Sequence, residues 1–165
     1  MAETIAFVLR NLPVFLFVAA LALALMNRSD VPGPERLLGW ILLLPIGVTG
    51  LWAAVFHLFF PQIAAADIGW EVSPFQFAVG LADFAIGATA CVSFWRSLDF
   101  KAAAVMATSI FLLGDAVAHV KQMIVARNFA PGNAGVPFYS DIAFPLLAII
   151  LLVIVRRSQA APRIS

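Results

Sequence analysis

Residues 37–60 read LLGWILLLPIGVTGLWAAVFHLFF and include no Asp, Glu, Lys or Arg. A helix needs about 20 mostly apolar residues to cross the ~30 Å hydrocarbon core of a bilayer, so this stretch alone predicts a transmembrane helix. Four more apolar segments occur along the chain. Together they predict five transmembrane helices, at residues 5–26, 37–60, 74–95, 102–125 and 141–155, the last at the lower limit of the required length.

The composition of the whole chain predicts the same class. Of its 165 residues, 63% are hydrophobic and 12% are charged, with a mean hydropathy of +1.01. A soluble domain of this size needs more polar surface. The net charge of +1 indicates no nucleic-acid partner, and a single cysteine, Cys91, excludes an intrachain disulfide. We therefore predict one all-α domain, residues 1–165, embedded in a lipid bilayer as a five-helix bundle.

Basic residues are distributed unevenly between the two predicted ends of this bundle. If all five segments cross, the loops after helices 1 and 3 and the C-terminal tail share one side. The positive-inside rule places that side in the cytoplasm, here of a bacterial inner membrane, with the C-terminus inside and the N-terminus outside. The basic residues of this side are Arg28, Arg36, Arg96, Lys101, Arg156, Arg157 and Arg163, and those of the other side are Arg10, Lys121 and Arg127.

Ionisable residues at membrane depth are the candidates for a function. Asp83 and Asp115 are predicted about 13 and 15 Å below the outer surface on helices 3 and 4, at 1.5 Å per residue. A lone charge at a helix centre costs roughly 2.5–3.5 kcal/mol, so such groups usually face protein or water. Each acid lies in a stripe on one helical face. The stripes are Gln76, Gly80, Asp83 and Gly87, whose glycines would let a neighbouring helix approach, and Thr108, Asp115, His119 and Gln122.

Two interpretations of these residues remain open. In the functional one, Asp83, Asp115, His119 and His57 line a polar pocket that opens outward between helices 3 and 4. The two histidines would then be candidate ligands of a haem, a chlorin or a metal ion, and the acids would hold a cation or relay a proton. In the structural one, Asp115 pairs with His119 at i,i+4, and a protonated Asp83 is hydrogen-bonded to Thr or Gln.

The segment between helices 4 and 5 reads NFAPGNAGVP, residues 128–137, and is rich in turn formers. Pro131 and Gly132 suit the two central positions of a type II turn. The segment, with Asn128 and Asn133, is either a lid over the pocket or a tight connector.

Ser73 and Ser140 are predicted N-caps of helices 3 and 5, the former in a capping box with Gln76. The aromatic residues Trp70, Trp95, Phe138 and Tyr139 are expected to anchor the chain at the membrane interfaces.

Two motifs resemble an uncharacterised family of small bacterial multi-pass membrane proteins. They are S-P-F-Q-x-x-x-G at residues 73–80 and N-x-A-P-G-N-x-G at residues 128–135. In that family an acid commonly stands where this chain has Ala78, and a glycine where it has Ala118. The resemblance implies no established activity, but it favours a role for His119 and for the segment 128–135.

The leading hypothesis for the function is a small inner-membrane protein that binds an ion or a small cofactor in the predicted pocket. The alternatives are a structural or assembly subunit of a larger membrane complex and a proton- or cation-coupled transporter, acting as a homo-oligomer. The sequence has no HExxH, GxSxG, Walker A or GxGxxG motif and no Cys–His nucleophile pair. A non-enzymatic role is therefore favoured.

Overall fold

A computed structural model describes residues 7–8, 10–27 and 30–160. These residues contain no strand, which confirms the all-α class for the described part. Ile5, Arg28 and Arg163, used in the predictions above, lie outside it. The helices are α1 (Leu12–Met26), α2 (Gly33–Phe59), α3 (Pro61–Ile68), α4 (Phe75–Ser93), α5 (Leu98–Val125), α6 (Pro131–Ala134) and α7 (Val136–Ala160).

Four helical segments of the described chain are long and apolar enough to cross a membrane: α2, α4, α5 and the combined stretch of α6 and α7. The prediction of five is wrong. Helix α1 has 15 residues, or about 22 Å at 1.5 Å per residue, which is short of a ~30 Å hydrocarbon core. Proline is favoured in the first turn of a helix, and Pro13 occupies that place in α1.

Several predicted helix boundaries are also wrong. Helix α4 begins at Phe75 without a side-chain cap, because Gln76 does not reach back to Ser73 but donates from Nε2 to the Pro61 carbonyl at 2.9 Å. Helix α7 begins at Val136, so Ser140 lies inside it and donates to the Val136 carbonyl at 2.7 Å. Part of the loop predicted after helix 2 is the short helix α3.

Helices α2 and α4 approach closely where their glycines meet. A Cβ atom on Gly50 would lie 3.1 Å from the Cα atom of Gly87, and one on Gly80 would lie 2.9 Å from the Leu58 side chain. Helix α2 is π-helical over Leu42–Val48 and contains Pro45, which has no amide hydrogen and so cannot complete a regular α-helical turn. The glycine stripe of the sequence therefore has α2 as its partner.

Gly87→Ala tests this contact. A Cβ atom at Gly87 would lie 2.7 Å from the Leu51 nitrogen and 2.9 Å from the Gly47 carbonyl oxygen. Both are backbone atoms that cannot rotate away, so the helices must separate, and we expect a loss of about 2 kcal/mol of unfolding free energy. The matched control is Gly114→Ala in α5, where nothing lies within 4 Å and helix propensity predicts a gain of about 0.5–1 kcal/mol. Equal effects of the two changes in a denaturation titration would refute the close contact.

The exterior of the described bundle is apolar, as a lipid environment requires. Large hydrophobic side chains such as Phe75, Ile110 and Ile124 are 71–81% exposed. Buried apolar side chains from α1, α2, α4, α5 and α7 form the core: Ala20, Leu38, Ile41, Leu42, Ile46, Ala90, Ala104, Val105, Phe144, Ala148 and Leu151.

Ion pairs mark the two ends of the bundle. At one end, Lys101 Nζ lies 3.5 Å from Glu35 Oε1, and Arg156 lies 2.9 Å from Asp99. The starts of α2 and α5 and the end of α7 therefore meet there. At the other end Arg10 pairs with Asp67 of α3 at 2.8 Å. The second end is also where α6 and the segment 128–135 lie, and it carries the polar cavity described below.

Candidate functional site

A cavity of about 400 Å³ lies among the helices at the end marked by Arg10 and Asp67. Most of its wall is apolar and aromatic, with Trp52, Phe56 and Phe111 among the lining residues. The Arg10 and Asp67 side chains also line it and are 41% and 40% exposed, so the cavity reaches the protein surface at this ion pair.

The structure places Asp83, Asp115, His119 and His57 on the wall of this one cavity. Asp83 comes from α4, Asp115 and His119 from α5, and His57 from α2. The helical spacing that grouped the acids in the sequence thus brings them to a common space, although helices α2, α3 and α7 contribute to the wall as well. Whether these residues bind a ligand stays a prediction.

His119 is the most constrained of these residues. Its side chain is 5% exposed, and its Nδ1 atom lies 2.9 Å from Asn133 Oδ1. The same oxygen accepts a hydrogen bond from Trp70 Nε1 at 3.0 Å. The Asn133 amide nitrogen donates to the carbonyls of His119, at 3.3 Å, and Asn128, at 2.9 Å. Asn133 is completely buried, so the loop residue is part of the site's support.

The hydrogen bonds of Asn133 determine which nitrogen of His119 carries a proton. Trp70 Nε1 can only donate and the two carbonyls can only accept, so the amide orientation that satisfies all of them puts Oδ1 toward His119. Nδ1 of His119 must then be the protonated nitrogen. In the neutral ring, Nε2 keeps a free lone pair.

Two carboxylates lie opposite that lone pair. Nε2 of His119 is 3.7 Å from Asp115 Oδ2 and 3.6 Å from Asp141 Oδ2. One ligand atom from each of the three residues lies within 4.8 Å of the other two. His57 is outside this group, and a shared role of the two histidines as ligands of a metal or macrocycle stays a prediction.

Asp141 is the site residue that the sequence analysis missed. Its position directly after Ser140 is typical of the start of a helix, where an acid would complement the helix dipole. Because α7 begins five residues earlier, at Val136, Asp141 lies inside the helix and its side chain is only 14% exposed. Pro137, a residue type favoured in a first turn, was the available signal for the earlier start.

The segment 128–135 is a connector with extensive hydrogen bonding. Asn128 Nδ2 donates to the carbonyls of Ile68 and Gly69 at 2.9 and 3.1 Å, which ties the segment to the end of α3. Pro131 begins a helical turn, α6, so the predicted type II turn is wrong. A Cβ atom on Gly132 would lie 2.7 Å from the Asp67 carbonyl oxygen, which shows how closely the segment covers the cavity's end.

Two further residues of this region make contacts that bear on the predictions. The ring of Trp70 lies 5.8 Å from that of His119, at an interplanar angle of 49°, and lines the cavity, while its place at a membrane interface stays a prediction. Asp83 is buried, and the Gln76 amide nitrogen donates to the Pro61 carbonyl, so a hydrogen bond from a protonated Asp83 to Thr or Gln stays a prediction.

The comparisons with known proteins identify a family and no activity. The model of a family of unknown function, DUF6790, matches residues 10–161. No curated protein and no solved structure matches the chain. The family match agrees with the expectation of an uncharacterised family, while the bacterial origin and the family's two motifs remain predictions.

Proposed function

The chain belongs to the DUF6790 family, and we propose that it is a multi-pass membrane protein that binds a small cation in the cavity. The charge of the cavity wall carries this proposal. Asp83, Asp115 and Asp141 all line the space. Arg10 is the one Lys or Arg among its described lining residues, and it is already paired with Asp67.

Three acids around one space at membrane depth must be neutralised, either by protonation or by a positive charge. An uncompensated charge near a helix centre costs roughly 2.5–3.5 kcal/mol, and like charges that share a low-dielectric cavity raise that cost further. His119 can offset one of the acids at most. A bound cation would neutralise the remainder and hold α4, α5 and α7 around a common centre.

Two buried polar atoms on the wall support a bound ligand as well. Thr49 Oγ1 and His57 Nδ1 have no hydrogen-bond partner within the described chain, and both residues line the cavity. A buried polar atom without a partner costs about 1–3 kcal/mol, so such atoms in a native protein usually face a water or a ligand.

The orientation follows from the basic residues. We infer that the chain lies in the inner membrane of a bacterium with its C-terminus in the cytoplasm. Arg36, Arg96, Arg156 and Arg157 belong to the end opposite the cavity, and the positive-inside rule favours the cytoplasm for that end. The rim at Arg10 and Asp67 would then face outward.

Cation binding is tested by the stability of the purified protein in mild detergent. A ligand at 100 times its dissociation constant stabilises a folded protein by about 2.7 kcal/mol. We expect Na⁺, Mg²⁺, Ca²⁺, Mn²⁺ or Zn²⁺, titrated separately, to raise the unfolding temperature of the wild type, and Asp115→Asn or Asp141→Asn to abolish the response.

The control for this experiment is Asp99→Asn. It is the same chemical change at the opposite end of the bundle, where the side chain is 92% exposed. It should leave the response to the cation unchanged. The proposal fails if none of these cations stabilises the wild type, or if Asp115→Asn responds as fully as Asp99→Asn.

One observation favours a second candidate, a structural or assembly subunit. Asp115 already pairs with His119 within α5, and the hydrogen bonds of Asn133 connect α5 to the segment 128–135. On this hypothesis the protein co-purifies with a larger complex and tolerates Asp83→Asn and Asp115→Asn. A transporter would instead show cation uptake into proteoliposomes that either change removes.

A further inference from the structure

We propose that the cation is a divalent transition metal held by Asp115, His119 and Asp141. This inference rests on the proposed function of the cavity and names its ligand. The three residues come from α5 and α7, two helices that pack along their length. Each offers one ligand atom, and these atoms lie within 4.8 Å of one another.

The separations fit a metal better than a direct contact. Nε2 of His119 lies 3.7 and 3.6 Å from the carboxylate oxygens of Asp115 and Asp141. A charged hydrogen bond between such groups would be about 2.7–2.9 Å. An ion with tetrahedral bonds of about 2.1 Å separates its ligand atoms by about 3.4 Å, within a few tenths of an ångström of the observed values.

The His119 ring is held by a hydrogen bond of the kind that usually orients a metal-ligating histidine. A ligating imidazole usually donates its second N–H to a carbonyl or carboxylate oxygen, which fixes the ring and its tautomer. His119 donates from Nδ1 to Asn133 Oδ1 at 2.9 Å, so Nε2 is the atom directed at the two acids. Asn133 is in turn held by Trp70 and by two backbone carbonyls. These hydrogen bonds orient the histidine ring, which a cluster of carboxylates alone would not require.

The ligand set determines the class of metal. An imidazole nitrogen suits Zn²⁺, Fe²⁺, Co²⁺ and Ni²⁺, whereas Mg²⁺ and Ca²⁺ prefer oxygen ligands alone. Two carboxylates and a neutral histidine also balance the charge of a divalent ion, and both acids line the cavity. With three protein ligands, a tetrahedral ion keeps one coordination position for an exchangeable ligand, and the cavity of about 400 Å³ offers room for it.

The alternative for the same geometry is a positively charged His119 that pairs with the two acids and binds no metal. The experiment that separates the two uses protein in mild detergent, stripped of metal with a chelator and then titrated with Zn²⁺, Co²⁺ and Mg²⁺. We expect one equivalent of Zn²⁺ to bind about 100-fold more tightly than Mg²⁺. Bound Co²⁺ should show the visible absorption of a nitrogen-ligated ion.

Variants assign the ligands. His119→Gln and Asp141→Asn should weaken Zn²⁺ binding by about 100-fold or more, since even the loss of an outer-shell partner costs roughly 10–100-fold. Asp99→Asn is the matched control for Asp141→Asn, because the Asp99 side chain lies at the opposite end of the bundle and is 92% exposed. It should stay within about threefold of the wild type, the range of changes away from a site. If His119→Gln does not fold, Asp141→Asn decides.

The outcomes separate this inference from the proposed function. If Mg²⁺ or Na⁺ binds as tightly as Zn²⁺, or if Asp141→Asn leaves Zn²⁺ binding intact, the transition-metal site is refuted while a cation-binding cavity remains. If no cation binds the wild type at all, both proposals are refuted.

Discussion

Asn133→Ala is expected to reduce the unfolding free energy by about 4 kcal/mol, because it leaves two buried donors without an acceptor. These donors are His119 Nδ1 and Trp70 Nε1, at 2.9 and 3.0 Å from the Asn133 oxygen. The change also removes the donor to the carbonyls of His119 and Asn128. Asn133 is fully buried, so water cannot easily replace either set of bonds.

The measurement is a denaturant titration in mild detergent, with Asn128→Ala as the control from the same segment. Asn128 is half-buried and donates to the carbonyls of Ile68 and Gly69 near the surface, where water can take its place. We expect about 1 kcal/mol for that change. Equal losses for the two variants would show that burial of the Asn133 amide contributes nothing of its own.

Helix identity and approximate position could be predicted from the sequence, but the number of crossings could not. The sequence shows long apolar runs at α2, α4 and α5, because a backbone in lipid must satisfy its hydrogen bonds within an apolar helix. Length counting failed at the N-terminus, where residues 5–26 are apolar except for Arg10 and Asn11 and helix α1 of the described chain begins at Leu12. Hydropathy measures composition and does not locate the residue at which a helix starts.

Helical periodicity could predict the part of the candidate site that lies on one face of a single helix. Spacings of three, four and seven put Asp83, Asp115 and His119 on single faces, and the structure brings them to one cavity. Periodicity within one helix cannot say which faces of different helices meet. It therefore could not predict that Asp141 of the last helix joins the group of Asp115 and His119.

Local capping rules predict the wrong position in the helix for Asp141. Ser140 followed by Asp141 has the composition of a helix start, and the same pair can equally lie inside a helix. Tertiary packing decided between them: Asn133 and His119 fix the end of α5 against α6, and α7 follows directly after Gly135. A hydrogen-bond network between distant residues, with Asn133 bonded to Trp70 63 positions away, has no signature in a single sequence.

The two ends of the bundle therefore differ in how their charged residues are arranged. The cavity at one end is lined by acids and two histidines, and Arg10 is the one arginine among its described lining residues. The opposite end pairs its buried charge directly, since Lys101 Nζ contacts both Glu35 and the Arg96 carbonyl. Lys101 was predicted in a loop, but it lies in the first turn of α5 and is 7% exposed.

Glu35→Gln should therefore destabilise the protein by about 3 kcal/mol, the lower part of the range for removing one partner of a buried ion pair. The substitution keeps the shape of the side chain and removes its charge. The Lys101 ammonium, 3.5 Å from Glu35 Oε1 in the wild type, would keep only the Arg96 carbonyl at 2.7 Å. Unfolding in a denaturant titration measures the loss.

The double variant Glu35→Gln, Lys101→Met separates charge from packing. Replacing both partners of a buried pair by neutral groups is often close to neutral, so most of the lost stability should return. Asp99→Asn provides the exposed comparison, because its partner Arg156 is 53% exposed and exposed pairs contribute little. If the double variant is no more stable than Glu35→Gln alone, the unpaired Lys101 ammonium is not the cause of the lost stability.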